Sequence, residues 1–201
     1  MMSWTVASSV LVLLCWWGLQ EGTHACTCLP RHPQEIFCQS DVVITAKVGK
    51  VKDDGDFDQP IKYDIELTRT FKGPERLFHA IYTASSSAAC GVILSKDTEY
   101  LLMARLHPDG TLHISSCDFY QPWRALTYTQ KSLLDRYQQG CNCKIEPCYS
   151  LPCDVSGPNV CRWTDFLPGV HRGNQTQNYA CVRRRDDTCA WYKGRTSPVK
   201  G

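Results

Sequence analysis

An excess of charge of either sign is missing from this 201-residue chain: 22 Lys and Arg against 20 Asp and Glu leave a formal net charge of +2. With 43% hydrophobic residues, that balance excludes an intrinsically disordered chain and gives no reason to expect nucleic acid as a partner. The 13 glycines have no period, which excludes a collagen-like chain, and the charges are too scattered for a coiled coil. Internal repeats and low-complexity stretches are lacking. So are a C-x-x-C pair, an H-E-x-x-H zinc helix, a G-x-S-x-G elbow and a phosphate-binding glycine loop. Asp54, Asp56 and Asp58 imitate a calcium loop, but Gln59 stands where glycine is needed and Ile65 where the bidentate glutamate belongs. Neither an enzyme nor an intrinsic cofactor or metal is therefore expected. The histidines His32, His79, His107, His113 and His171 are the one residual argument for a secreted hydrolase.

Cysteine, by contrast, is abundant. Thirteen in a chain of this size point to an oxidising compartment and a disulfide framework, although an odd count leaves one thiol over. Val6 to Leu19 is an uncharged, largely apolar run, shorter than the roughly 20 residues a membrane-crossing helix needs, and it reads as the core of a signal peptide. No Lys or Arg precedes it, which is atypical. Thr23-His24-Ala25 places small residues three before and one before a cleavage point, so residues 1–25 are expected to be removed and the mature chain to begin at Cys26. Cys15 would leave with them, and the remaining cysteines number an even twelve. No later run is apolar and long enough to span a membrane, so a secreted, extracellular, monomeric protein is expected.

Between Asp41 and Cys117 the pattern has period two, clearest over Ile61–Leu67. Strands are predicted at Val42–Val51, Ile61–Leu67, Leu77–Thr83, Tyr100–Leu106 and Thr111–Ser115, separated by turn residues such as Gly73-Pro74 and Pro108-Asp109-Gly110. Pro122–Gln139 has helical spacing, with Thr127 as a cap and Gly140 as a stop, and a shorter helix is predicted from Pro33. Five antiparallel strands with flanking helices fit a mainly β fold, a small five-stranded Greek-key barrel of the oligonucleotide/oligosaccharide-binding type, and leave a sandwich open. Beyond Gly140 the texture changes: six cysteines from Cys143 to Cys189 and several prolines crowd into a small segment that relies on cross-links. The predicted division is 26–141 for the barrel domain and 142–201 for a disulfide-rich subdomain. The latter holds 9 basic and 5 acidic residues, including Arg183-Arg184-Arg185, which allows either a sulfated-glycan or matrix contact or, with Asp186 and Asp187 following, a solvated turn.

Cleavage before Cys26 would expose an α-amine in Cys26-Thr27-Cys28-Leu29-Pro30. In an extended segment Cys26 and Cys28 share a face, so both can be bridged to the body while Thr27 points away. An α-amine titrates at about 7.7–8.0, so a fraction is neutral at physiological pH and able to ligate a metal, with the neighbouring carbonyl completing a chelate. Such a pair suits the open coordination position of a catalytic zinc in another protein. Spacing alone equally allows that the two cysteines merely tie down the chain end.

The run Cys26-x-Cys28-x-Pro30-x-His32-Pro33-Gln34, followed by Phe37-Cys38 and Asp41-Val42-Val43-Ile44, resembles the opening of the tissue inhibitors of metalloproteinases. Phe71-Lys72-Gly73, Cys90-Gly91, Pro122-Trp123, Gly140-Cys141-Asn142-Cys143, Leu151-Pro152-Cys153, Cys161-x-Trp163 and Cys189-x-Trp191-Tyr192 extend the resemblance over the expected mature chain. It implies a netrin-like barrel of the oligonucleotide-binding type and inhibition of matrix metalloproteinases and related zinc endopeptidases. The zinc belongs to the target protease and is held by the amine and carbonyl of Cys26, with Thr27 in the first primed pocket. Leu29, Pro30, Ala88, Ala89 and Cys90 are implied as neighbouring contacts. The implied bridges are Cys26–Cys90, Cys28–Cys117, Cys38–Cys141, Cys143–Cys189, Cys148–Cys153 and Cys161–Cys181. A non-inhibitory netrin-like module that binds matrix or receptors is the alternative. Asn174-Gln175-Thr176 is an N-glycosylation sequon.

Overall fold

The computed structural model of the chain describes residues 26–56, 59–154, 157–167 and 173–196. The expected signal peptide, Asp58, His171 and the chain end after residue 196 lie outside the described residues.

Helix α1 (Pro33–Gln39) begins where expected, with proline at its first position. His32 caps it: its Nδ1 accepts from the Gln34 N–H at 3.2 Å, while its own N–H donates to Glu35 Oε2 at 3.0 Å. Strands β1 (Val42–Lys52) and β2 (Ile61–Lys72) follow, then β3 (Ala80–Thr83), β4 (Glu99–Leu106), β5 (Leu112–His113) and β6 (Phe119–Pro122). Strands β1, β2, β3, β5 and β4 close a five-stranded barrel because β4 pairs back onto β1, and β6 adds to β4 as a sixth strand.

Three sequence expectations shift. Strand β3 is shorter than Leu77–Thr83, and β5 keeps two of its five expected residues. The second helix, α2, starts where expected, spanning Tyr128–Tyr137 under the Thr127 cap, and is preceded by the end of β6 and a 3-10 turn over Trp123–Ala125. Strand β3 also pairs with β5 in parallel, Ile81 beside Leu112 and Tyr82 beside His113, where an antiparallel arrangement was expected.

Central strands are buried on both faces, which explains why alternation fades there. Val42, Ile44, Ala46 and Val48 of β1 point into the barrel with Tyr100, Leu102 and Ala104 of β4. The alternate residues Val43, Leu101 and Met103 face the helices, against Ile36, Phe37, Leu133, Leu134 and Tyr137. Each fully buried aliphatic side chain contributes about 1.5–3 kcal/mol, so this double-sided packing holds β1 and β4 as the spine of the molecule.

The C-terminal part contains a parallel pair, β7 (Lys144–Pro147) with β8 (Val160–Trp163), a short helix α3 (Asn174–Asn178), and the hairpin β9 (Tyr179–Arg183) with β10 (Cys189–Lys193). Its own core gathers Ile145, Trp163 and Phe166 around Cys161 and Cys181. Ala180 of β9 belongs to the helix-facing core with Ile36 and Leu133, so the two parts share buried surface. Arg183 pairs with Asp187 at 3.4 Å across the β9–β10 turn, which makes the start of the basic run part of a solvated hairpin end. Among the described residues no helix is long and apolar enough to cross a membrane.

Candidate functional site

Parallel pairing of β3 and β5 sends both strands out of the same end of the barrel, so the loops that follow them lie side by side. After β3 the chain makes a 3-10 turn, Ser87–Ala89, capped by Ser86 Oγ, which accepts from the Ala89 N–H at 3.3 Å. Cys90 then adopts a left-handed conformation (φ 65°), and the Gly91 N–H donates to the Ser86 carbonyl at 2.8 Å. A Cβ at Gly91 would collide with the carbonyls of Ala84 and Ser86, so only glycine allows this close return.

After β5, the Asp118 carboxylate accepts from the Ser115 N–H at 2.9 Å and the Ser115 hydroxyl at 2.8 Å, and so shapes the loop that presents Cys117. The Ser116 N–H donates to the Cys90 carbonyl at 2.8 Å and joins the two loops directly.

Residues 26–31 run over this paired platform without regular secondary structure. Disulfides anchor them: Cys26 to Cys90 with Cα atoms 5.1 Å apart, and Cys28 to Cys117 with Cα atoms 5.2 Å apart. The Ser116 hydroxyl donates to Cys26 Sγ at 3.2 Å. Thr27, Cys28, Leu29 and Pro30 are exposed, Leu29 at 85% of its full surface, and exposed Ala88 and Ala89 stand next to Cys90. Every protease-contact residue named from the sequence is thus gathered at one end of the barrel. An open groove of about 430 Å³ lies beside the segment, lined by Leu29, Pro30, Arg31, Phe119, Thr127 and Gln177 among others.

Sequence reading missed two parts of this arrangement. Ser116 ties the loops, and Arg31 donates through Nη1 to Gln39 Oε1 at 2.6 Å and through Nη2 to the carbonyl of Cys117. Neither residue carries a motif or period that singles it out.

The sulfurs of Cys26, Cys90 and Cys117 lie within 4.8 Å of one another, as do those of Cys143, Cys181 and Cys189. All six are in disulfides, so none is a thiolate available to a metal. The remaining bridges are Cys38–Cys141, from α1 to the end of the α2 region, and Cys148–Cys153.

His32, one of the histidines considered for catalysis, is fully buried, 5.5 Å from the Trp163 ring and 5.3 Å from the Trp191 ring. Burial holds its imidazole down at about 4, against the opposing hydrogen bond to the Gln175 carbonyl and the Asp165 charge. Burial pushes the Asp165 carboxyl up, but hydrogen bonds from Thr176, Trp163 and Gln175 outweigh it and hold the group below the usual range. His107 and His113 stack with centroids 3.6 Å apart, and Thr111 Oγ1 lies 2.8 Å from His113 Nε2. Asn174 is exposed at the start of α3, whereas the Thr176 hydroxyl of its sequon donates to Asp165 at 2.8 Å.

The sequence pattern of the tissue inhibitor of metalloproteinase family matches residues 24–191. Metalloproteinase inhibitor 2 of Cavia porcellus is 46% identical over 191 residues, covering 90% of this chain and 87% of the relative. The human protein of the same name is 46% identical over 185 residues, covering 87% of this chain and 84% of the relative. Metalloproteinase inhibitor 3 of Scyliorhinus torazame is 42% identical over 205 residues, with coverage of 98% and 95%. With its barrel, its paired anchoring loops and relatives matched along nearly their whole length, the chain belongs to the tissue inhibitor of metalloproteinase family, whose members are inhibitors and not enzymes.

Proposed function

We propose that the protein is secreted, loses residues 1–25, and inhibits matrix metalloproteinases one to one by presenting the α-amine and carbonyl of Cys26 to the catalytic zinc of the protease. In the precursor the Cys26 nitrogen is an amide, whose lone pair is delocalised into the carbonyl and cannot ligate. Cleavage turns it into an amine with a pKa of about 7.7–8.0, deprotonated on binding. Held by the amine and carbonyl, the zinc of the protease no longer has its activating position free for water. Thr27 then enters the first primed pocket, with Leu29, Pro30, Ala88, Ala89 and Cys90 as flanking contacts.

The observation that carries this reading is the exposure of Thr27 between two cysteines that are both bonded to one platform. A segment already held in its bound shape loses little conformational freedom on association. That is how an interface of about 1,600 Å² becomes tight. We divide the chain at Cys141, residues 26–141 forming the inhibitory domain and residues 142–201 a disulfide-rich subdomain, and assign an N-linked glycan to Asn174. Glycosidase treatment of the secreted protein, followed by mass measurement, tests the glycan.

The zinc-chelating mechanism is tested by titrating a matrix metalloproteinase catalytic domain with the mature protein and with a form carrying one extra Ala before Cys26. Inhibition is expected only from the mature form. Equal inhibition by both forms removes the chelate, and no inhibition by either favours the non-inhibitory netrin-like module.

A further inference from the structure

We infer that Arg31 is a positioning residue for the inhibitory segment: its guanidinium is a third fastening that holds Leu29 and Pro30 in the shape the protease receives. The inference rests on the reading of Cys26–Pro30 as that segment.

Cys117 receives the segment twice. Its sulfur is bonded to Cys28, and its carbonyl oxygen accepts from Arg31 Nη2. The chain therefore leaves Cys117 at Cys28, passes through Leu29 and Pro30, and returns to the same residue at Arg31, closing a small ring. Within that ring the proline fixes one backbone torsion. Leu29 projects outward, 85% exposed, on a frame whose two ends are both tied to one residue.

The second arm of the fork, Nη1, donates to Gln39 Oε1 at 2.6 Å and fastens the same ring to the far end of α1. Downstream, His32 is locked by its capping hydrogen bonds and is fully buried, so the anchor of the ring does not drift with the surface. Burial pushes the Glu35 carboxyl up, against the hydrogen bond from the His32 N–H and the nearby Arg31 charge, which adds a weak attraction from the first turn of α1.

Only a planar fork of donors reaches both acceptors at once. A lysine ammonium is a point charge on a flexible stem and can satisfy one of the two.

Two measurements on the mature secreted protein test the role: backbone 15N order parameters of Thr27, Cys28, Leu29 and Arg31 in the free inhibitor, and dissociation rates from a matrix metalloproteinase catalytic domain. Arg31→Ala is expected to lower the order parameters and to speed dissociation about tenfold, close to 1.4 kcal/mol. Arg31→Lys is expected to fall between, and Gln39→Ala to give a smaller loss because the Cys117 contact survives. Order parameters and rates equal to those of the unmodified protein overturn the proposal. Faster dissociation with unchanged order parameters overturns it too, because it makes Arg31 a direct protease contact. Should no version bind protease, the zinc-chelating reading fails, and the order parameters alone still decide the role of Arg31.

Discussion

The side chain of Gln34 pairs with the backbone of Cys181 in both directions: the Cys181 N–H donates to Oε1 at 2.7 Å, and Nε2 donates to the Cys181 carbonyl at 2.6 Å. The same Nε2 donates to the Tyr137 carbonyl at 3.0 Å, so one buried amide from α1 satisfies backbone groups of the β9 strand and of the α2 end. Gly140 borders this junction, where a Cβ would overlap the Cys181 carbonyl and Gln34 Nε2.

Replacing Gln34 with Leu keeps the volume and removes all three hydrogen bonds. Each buried backbone group left unpaired costs about 1–3 kcal/mol, so Gln34→Leu is expected to destabilise the protein by about 3 kcal/mol or more. Urea unfolding of the secreted variant measures this, and an unchanged midpoint refutes the assignment.

Acid should loosen the same junction through His32. Its folded pKa of about 4 lies below the ordinary 6.5, so between those values the unfolded chain binds a proton that the folded protein does not. Stability is then full above pH 6.5 and falls as pH drops through this window, by roughly 3 kcal/mol in total. Asp165, held below the usual carboxylate range, adds a further loss at lower pH. Unfolding midpoints at pH 7 and pH 4.5 should differ strongly, and His32→Asn should flatten the difference. An identical slope in that variant assigns the acid sensitivity elsewhere.

The Cys28–Cys117 bridge spans 89 positions and holds the exposed segment without involving Cys26. Cys28→Ala with Cys117→Ala should cost about 2–5 kcal/mol of stability. It should also weaken protease inhibition, since the segment must then be ordered on binding. Titration against a matrix metalloproteinase separates the two effects. Inhibition as tight as in the unmodified protein contradicts the role given to pre-ordering.

Thr27 is exposed between its two anchored neighbours. Thr27→Gly removes the group assigned to the first primed pocket and should raise inhibition constants about 10- to 200-fold, the usual worth of a small apolar contact in such a site. Thr27→Arg should separate proteases by pocket depth. A panel of proteases with unchanged constants rules out Thr27 as the pocket residue.

Much of the barrel was legible in the sequence because β2 has one face inside and one outside, so Ile61, Tyr63 and Ile65 alternate with polar neighbours. The starts of both longer helices were legible for a similar local reason, since Pro33 suits a first helical position and Thr127 caps a backbone N–H three residues on. Strand β6 and the four C-terminal strands were not read, because runs of four or five residues with mixed burial carry too little period. The candidate site was named through family resemblance; cysteine spacing allowed many pairings.

By itself, the sequence determined the cysteine-rich, mainly β character of the chain and the starts of its two longer helices. These follow from residue chemistry and from contacts between near neighbours. Only the tertiary structure decided that β3 and β5 run parallel, that Ser116 joins the loop of Cys90, that Arg31 returns the chain to Cys117, and that Gln34 reads the backbone of Cys181. Each of these links polar groups of segments far apart in the chain, and their partners are set by how the barrel closes, a property no local pattern records.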